Sequence, residues 1–509
     1  MSERARSTTS RRRFLVLGVG TAFGALALAA CGGAATPTVA PTSAPASAPP
    51  PKPTTAPAAA ATTAPSGGAA TPAAAATTAP AAAATSAPAA GAAPAATKPA
   101  AGASPKGPVT AFVDTDYLPE TTQLMKAIMD DYAKKNGIEF NFEEKSGNWQ
   151  DQLKAAVQAG TPPDLMRIFD YQAQYWRGQN QAADVSDVVA PLKTQQGGFF
   201  DYVEKVCGWQ GKWYAVPYAV NAWPMHVRQD LLDQKGLKWP AGWDEFRTTA
   251  KQIQNPPNLY AFGYTLGRTN DTNNHFLALL WTFGGQLQDE NGKLGVTSAS
   301  DKAWIQALTL TKQMFEEDKI IPPGAVSWDD GGNNNAYQGG QVWATSNPTS
   351  IYGWLVKNKP ELAKGTKFYP YPKGPAGEFG QVDVWGMMLF KASKAPDAAK
   401  AIIGNFADPA QYTKYIDDMK GRFLPVYKNL LDRPLWKSDP LFEQYTTIAK
   451  NGRIMAYNAS PTAPYGDITT TFVIGDMMQD LLVKKQQPEQ ALQTFITKAK
   501  AIYDKYPNL

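Results

Sequence analysis

Val109-Thr110-Ala111-Phe112-Val113, the run from Thr121 to Tyr132, and Ile138-Glu139-Phe140-Asn141-Phe142 decide the fold. The first and third are short and apolar or alternating, as strands are. Between them Leu124, Met125, Ile128, Met129 and Tyr132 recur at helical spacing on one face. Gly137 ends that helix as a left-handed cap would. A second helix with Leu153, Ala156 and Val157 inward runs to Gly160; Thr161-Pro162-Pro163 turns the chain, and Leu165-Met166-Arg167-Ile168 is a third strand. This β-α-β-α-β order with short connections predicts a parallel sheet covered by helices. In such sheets ligands sit beyond the carboxyl ends of the strands. Those ends fall at Asp114–Tyr117, Ser146–Trp149 and Phe169–Tyr175.

Upstream the composition changes completely. Residues 32–107 are almost only Ala, Pro, Thr, Ser and Gly, with no aromatic and no acidic side chain. Such a segment cannot bury enough apolar surface to offset the entropy of ordering it. It reads as a tether spanning on the order of 50 Å as a coil, and its Thr/Ser with Pro also suit a glycosylated stalk. Residues 1–31 have the parts of an export signal: Arg4, Arg6, Arg11, Arg12 and Arg13, an apolar run from Phe14 to Ala30, then Leu28-Ala29-Ala30-Cys31. The last four resemble the lipobox of bacterial lipoproteins, which implies a lipid on Cys31 and a place on the outer face of the cytoplasmic membrane. Ser10-Arg11-Arg12-Arg13-Phe14-Leu15 resembles a twin-arginine signal; the general export route is the alternative.

The net charge of +5 belongs to these segments, which hold eight of the 49 basic residues and one of the 44 acidic ones. The remainder, 108–509, is near −2, which argues against a nucleic-acid partner. Cys207 has no second cysteine within that remainder and reads as a small buried residue.

Downstream, Trp213–Tyr218 reads as a crossing strand, Trp243-Asp244-Glu245-Phe246 as a helix start, His275–Phe283 as a buried helix and Ser300–Glu317 as an amphipathic one. Phe368-Tyr369-Pro370 and Trp385–Phe390 return to strand character. Gly160-Thr161-Pro162-Pro163-Asp164-Leu165, Gly211–Tyr218, Gly236-Leu237 with Trp243–Phe246, Gly284–Lys293, Ile320–Pro323, Gly339–Ala344, Lys391–Ala399 and Leu424-Pro425-Val426 follow one another in order. Together they resemble the extracellular solute-binding proteins of ABC importers, the family of maltose- and multiple-sugar-binding proteins. The resemblance implies an α/β, type II periplasmic-binding-protein-like fold. Each of its two lobes is a mostly parallel sheet flanked by helices, with a hinge and an interlobe cleft. Lobe one would hold about 108–221 and 366–430, and lobe two about 222–365 and 431–509. It also implies a monomer that binds a sugar or other small solute, closes on it and delivers it to permease subunits in the membrane. Two departures near the expected cleft put sugar specificity in question: Val227-Arg228-Gln229-Asp230 replaces an Asn-Lys pair, and Ser346-Asn347-Pro348-Thr349 replaces Gly-Pro-Trp.

A sugar offers hydroxyls at its edge and apolar faces, so its site needs planar polar groups and aromatic plates. Asp116, Tyr117, Asn148, Trp149, Asp170 and Tyr171 lie at the strand ends of lobe one. Asp116 also suits an Asx turn. Tyr218 and Asn221 lie on the crossing strand and Trp223 follows it; in lobe two Asn347, Trp343 and Tyr352 are candidates. Asp383 and Trp385 open the return strand, with Trp385 the leading aromatic plate. Tyr457, Asn458, Tyr465 and Asp467 occupy the loop that the resemblance turns toward the ligand.

An enzyme has less support. His226 and His275 are the only histidines and lack metal-binding spacing. No Gly-x-Ser-x-Gly elbow or phosphate loop occurs. Asp329-Asp330 before Gly331-Gly332-Asn333-Asn334-Asn335 lacks the spaced ligands of a calcium loop and reads as surface loop. No metal or cofactor is expected. A carboxylate-pair glycosidase and a non-transport sensor on the same fold remain the alternatives.

Overall fold

The computed structural model describes residues 107–146, 149–457 and 459–507. The export signal, Cys31, nearly all of the tether, Asn148 and Asn458 lie outside the described residues. β1 (Pro108–Asp114), α1 (Pro119–Lys135), β2 (Glu139–Lys145), α2 (Trp149–Gln158) and β3 (Leu165–Phe169) follow the order that the opening stretch predicts. β1 pairs in parallel with both β2 and β3. Pro119 starts α1, where its missing N–H costs no hydrogen bond. Gly137, at φ +66, turns the chain out of it. After β3 comes a short helix, α3 (Gln172–Gly178).

The next long extended run serves two sheets. β4 (Val216–Trp223) is buried along its whole length, and after Pro224 the chain continues as β5 (Met225–Arg228). The second half adds β6 (Tyr260–Gly263), α4 (Asn270–Thr282), α5 (Gly332–Gln338), β7 (Val342–Ser346), α6 (Ser350–Asn358) and β8 (Thr366–Tyr369). β9 (Gln381–Leu389) and α7 (Ala463–Thr470) follow.

A five-stranded sheet has the order β2-β1-β3-β9-β4, and a four-stranded sheet the order β8-β5-β7-β6. Each contains one reversed strand. β9 is antiparallel to β3 and β4, and β5 is antiparallel to β7 and β8. The reversed strand is in each case one that arrives from the other sheet, so the direct crossings set its direction. β8 corrects the expected boundary of lobe one at residue 366: it pairs with β5 in the second sheet, and the return to the first sheet begins at Gln381. Phe368 anchors it there, its ring 4.6 Å from that of His226.

Apolar side chains from both sheets join one continuous core. Trp281, Trp304 and Trp343 are fully buried in it; Trp343 packs on Phe246 at 5.4 Å and serves the core rather than a cleft.

Candidate functional site

The described polar network starts just beyond β1. The Asp116 carboxylate accepts from Leu118 N–H at 2.9 Å, closing an Asx turn before α1. It also accepts from Arg422 Nε at 3.0 Å and Nη2 at 2.6 Å, so the turn and an ion pair coexist. Arg422 Nη1 donates to Asn221 Oδ1 at 2.7 Å. Asn221 Nδ2 then donates to Asp383 Oδ1 at 2.9 Å, and Trp223 Nε1 to Asp383 Oδ2 at 2.6 Å. Strand geometry explains the last two bonds. Asn221 and Trp223 are two residues apart on β4, and Asp383 stands opposite Asn221 in the register. Burial pushes Asp116 up, but the Arg422 charge and hydrogen bonds outweigh it and hold the carboxyl below its usual range. At Asp383 burial prevails over its donors Asn221 and Trp223 and pushes the carboxyl to about 6.

Trp385 lies two residues further along β9 and is partly exposed. The Arg167 guanidinium stands 4.6 Å from its ring and that of Arg422 5.6 Å. Phe169 and Phe423 flank it at 6.1 and 5.2 Å, and Trp149 meets Phe169 edge-on at 6.5 Å. Arg167 is itself bound to Asp114 at 2.8 Å.

Contacts run from this sheet to elements of the other. Tyr117 donates to Gln338 Oε1 on α5 at 2.8 Å, and Tyr171 to Asn270 Oδ1 at the start of α4 at 2.6 Å. Glu120 and Lys357 pair at 3.6 Å across the surface. Gln381 hydrogen-bonds Asn274 on α4. Beyond β7, Asn347 Nδ2 donates to Asp271 Oδ2 at 3.1 Å and lies 2.5 Å from Asn334 Oδ1. Burial raises Asp271 well above the usual carboxylate range, and the charge of Asp330 adds to it.

Asp170 differs from all of these. It follows the carboxyl end of β3 at φ +42, and its N–H donates to Val384 O at 2.7 Å. Its side chain is 1% exposed, yet neither carboxylate oxygen has a hydrogen-bond partner among the described residues. Burial, then the neighbouring Asp383 charge, raises it well above its ordinary value.

A cavity of about 570 Å³ adjoins the network. Leu118, Thr121, Thr349, Tyr352, Phe442 and Arg422 are among its lining residues, so Arg422 belongs to both cavity and network. Thr349 Oγ1 donates back to Gly421 O at 2.9 Å and fixes that loop.

Most of the expected residues thus gather around one junction, and several do not. Tyr218 is fully buried among Phe406, Tyr415 and Phe423, with ring centroids 5.6 to 6.2 Å away, and so belongs to the core. Asp467 faces the C-terminal segment, where Tyr506 OH lies at 3.3 Å and Lys505 Nζ at 3.5 Å. Tyr457 lies under the Arg453 guanidinium at 3.8 Å and meets Trp281 edge-on. Tyr465 is buried 6.4 Å from Tyr171, its hydroxyl without a partner among the described residues. Arg422, Asn270, Asp271, Asn334 and Gln338 were not expected. The Gly421-Arg422 step just before Leu424-Pro425-Val426 offered a signal for the first. The 329–335 loop reading holds for exposed Asp329 and Asp330 but fails for Asn333 and Asn334, which are buried on α5. Among the described residues no three His, Cys, Asp or Glu side chains converge as metal ligands, and no helix is long and apolar enough to cross a membrane.

Two α/β lobes joined by direct crossings, with a polar and aromatic junction between their sheets, define a two-lobe binding protein. The model of the bacterial extracellular solute-binding protein family matches residues 127–444, and the chain belongs to that family. A binding protein of Brucella abortus (strain 2308) is 24% identical over 73% of this chain and 88% of its own length. The mannitol-binding protein of Pseudomonas aeruginosa is 26% identical over 51% of this chain and 59% of its own. Maltose-bound MalE3 of T. maritima superposes with a TM-score of 0.67 at 19% identity, covering 78% of this chain and 99% of the other.

Proposed function

We propose that this chain is the lipid-anchored, monomeric receptor of an ABC importer. It captures a hydroxyl-rich solute, a sugar or polyol, between its lobes and hands it to permease subunits without chemical change. The observation that carries the reading is the junction itself. Asn221, Trp223, Asp383 and Arg422 form a connected buried network beside the partly exposed ring of Trp385. Fixed donors and acceptors read hydroxyls, and an indole face takes the apolar side of a ring. The relative that binds mannitol and the neighbour that holds maltose support a hydroxylated solute. In this reading lobe one is about 108–223 with 381–430, and Cys31 keeps the receptor near its permease, which raises its local concentration there.

The test is a thermal-shift screen of the full chain against sugars and polyols, followed by titration calorimetry. A micromolar ligand, about 8 kcal/mol of binding, is expected to raise the melting temperature. Trp385→Ala is expected to weaken that ligand about tenfold or more. A screen in which no hydroxylated solute binds, or release of smaller sugars from an oligosaccharide, overturns the reading.

A further inference from the structure

We infer that the solute carries a protonated amine beside its hydroxyls, and that Asp170, with Asp383 behind it, receives the ammonium. This deepens the reading above and rests on it. Three buried carboxyls at the junction have no ion-pair partner among the described residues. Arg167 is committed to Asp114 and Arg422 to Asp116. Asp383 and Asp271 have only neutral donors, Asn221 and Trp223 for the first and Asn347 for the second. Asp170 has no donor at all among the described residues. His226 and His275 supply no charge, since burial lowers their imidazoles to about 3 and 4.

A buried carboxylate without a partner is costly, and a buried charge persists only when paired. Burial and the Asp383 charge keep the Asp170 carboxyl protonated while it lacks a partner, and a hydroxyl alone would leave it so. An ammonium supplies both the donors and the positive charge that lets Asp170 ionise, and charge-assisted bonds are about twice as strong as neutral ones. The position fits a ligand contact. Asp170 directly follows the carboxyl end of β3, the end at which α/β sheets take their ligands. Tyr171 and Tyr465 stand close enough for an ionised Asp170 to act on their hydroxyls.

The experiment is titration calorimetry of the full chain with matched pairs: glucosamine against N-acetylglucosamine, and 1-amino-1-deoxysorbitol against sorbitol, with putrescine as a bare diamine. The amine member of a pair is expected to bind at least tenfold more tightly than its neutral counterpart. Asp170→Asn is expected to erase that preference. Equal binding within each pair, or preference for the neutral member, overturns the ammonium inference and leaves the hydroxylated-solute reading standing. Putrescine binding that depends on Asp170, with every sugar and polyol silent, sustains the ammonium and overturns the hydroxylated solute. A preference that survives Asp170→Asn overturns the assignment to that residue, and silence from all five probes overturns the inference. The wild-type pairs decide the question even if the variant fails to fold.

Discussion

His275 shows what one residue contributes that pattern reading could not find. Its Nδ1 accepts from Thr265 N–H at 3.1 Å while Nε2 faces Ser346 O at 2.8 Å, which fixes the neutral Nε2–H tautomer. Burial lowers it to about 4. Between pH 6.5 and 4 the unfolded chain therefore binds a proton that the folded chain does not, and stability falls as pH falls through that window. The loss for this one group is roughly 3 kcal/mol. Asp383 has the opposite sign. Pushed up to about 6, it keeps its proton in the folded state while the unfolded carboxyl has lost it, so its contribution falls as pH rises from about 4 to 6. His275→Gln is expected to flatten the acid side of the stability curve and Asp383→Asn the opposing slope, both read by urea unfolding from pH 4 to 7. A His275→Gln curve parallel to wild type would remove the linkage. The same contrast explains which site residues the sequence revealed. Asn221, Trp223, Asp383 and Trp385 lie on the crossing and return strands, which short apolar runs in the sequence mark. Arg422 meets Asp116 across 306 positions of chain, and no local pattern encodes that pairing.

At the scale of elements, β1-α1-β2-α2-β3 was legible because each piece satisfies its own periodicity and ends in its own cap. Strand direction was not. Nothing in Gln381–Leu389 marks it as reversed, because direction follows from where the chain re-enters the sheet. The crossing of α3 and α7 was equally hidden. A Cβ on Gly178 would lie 2.1 Å from Ala463 Cβ, and one on Gly466 would lie 2.8 Å from Tyr175 Cβ and 3.1 Å from its backbone. The two helices therefore touch backbone to backbone, which only small residues permit. With α7 in the proposed second lobe, Gly466→Leu wedges the lobes apart. Solute affinity is expected to fall tenfold or more while the unfolding free energy of the unliganded chain, read in urea, stays within about 0.5 kcal/mol. A fall of about 2 kcal/mol or more, the signature of overpacking, would instead put α3 and α7 inside one rigid lobe.

For the whole molecule the question is what holds the lobes together without a solute. The described contacts between them include the hydrogen bonds of Tyr117 to Gln338 and Tyr171 to Asn270, each worth about 1 kcal/mol. The Glu120–Lys357 pair, with side chains 55% and 70% exposed, adds little. Against them stands the buried Asp170 carboxyl, whose unpartnered polar atoms cost a few kcal/mol. A solute that satisfies Asp170 then favours closure through contacts made only in the closed form. Spin labels on Glu120→Cys and Lys357→Cys, in a Cys31→Ser background, read this directly, since fully buried Cys207 does not react. Without solute the distance distribution is expected to be broad, and with solute narrow and short. Asp170→Ala, which removes the unpartnered polar atoms, is expected to narrow the unliganded distribution toward the closed distance by itself. If wild type and Asp170→Ala give the same unliganded distribution, Asp170 does not set the balance, and closure must be driven by contacts elsewhere at the junction.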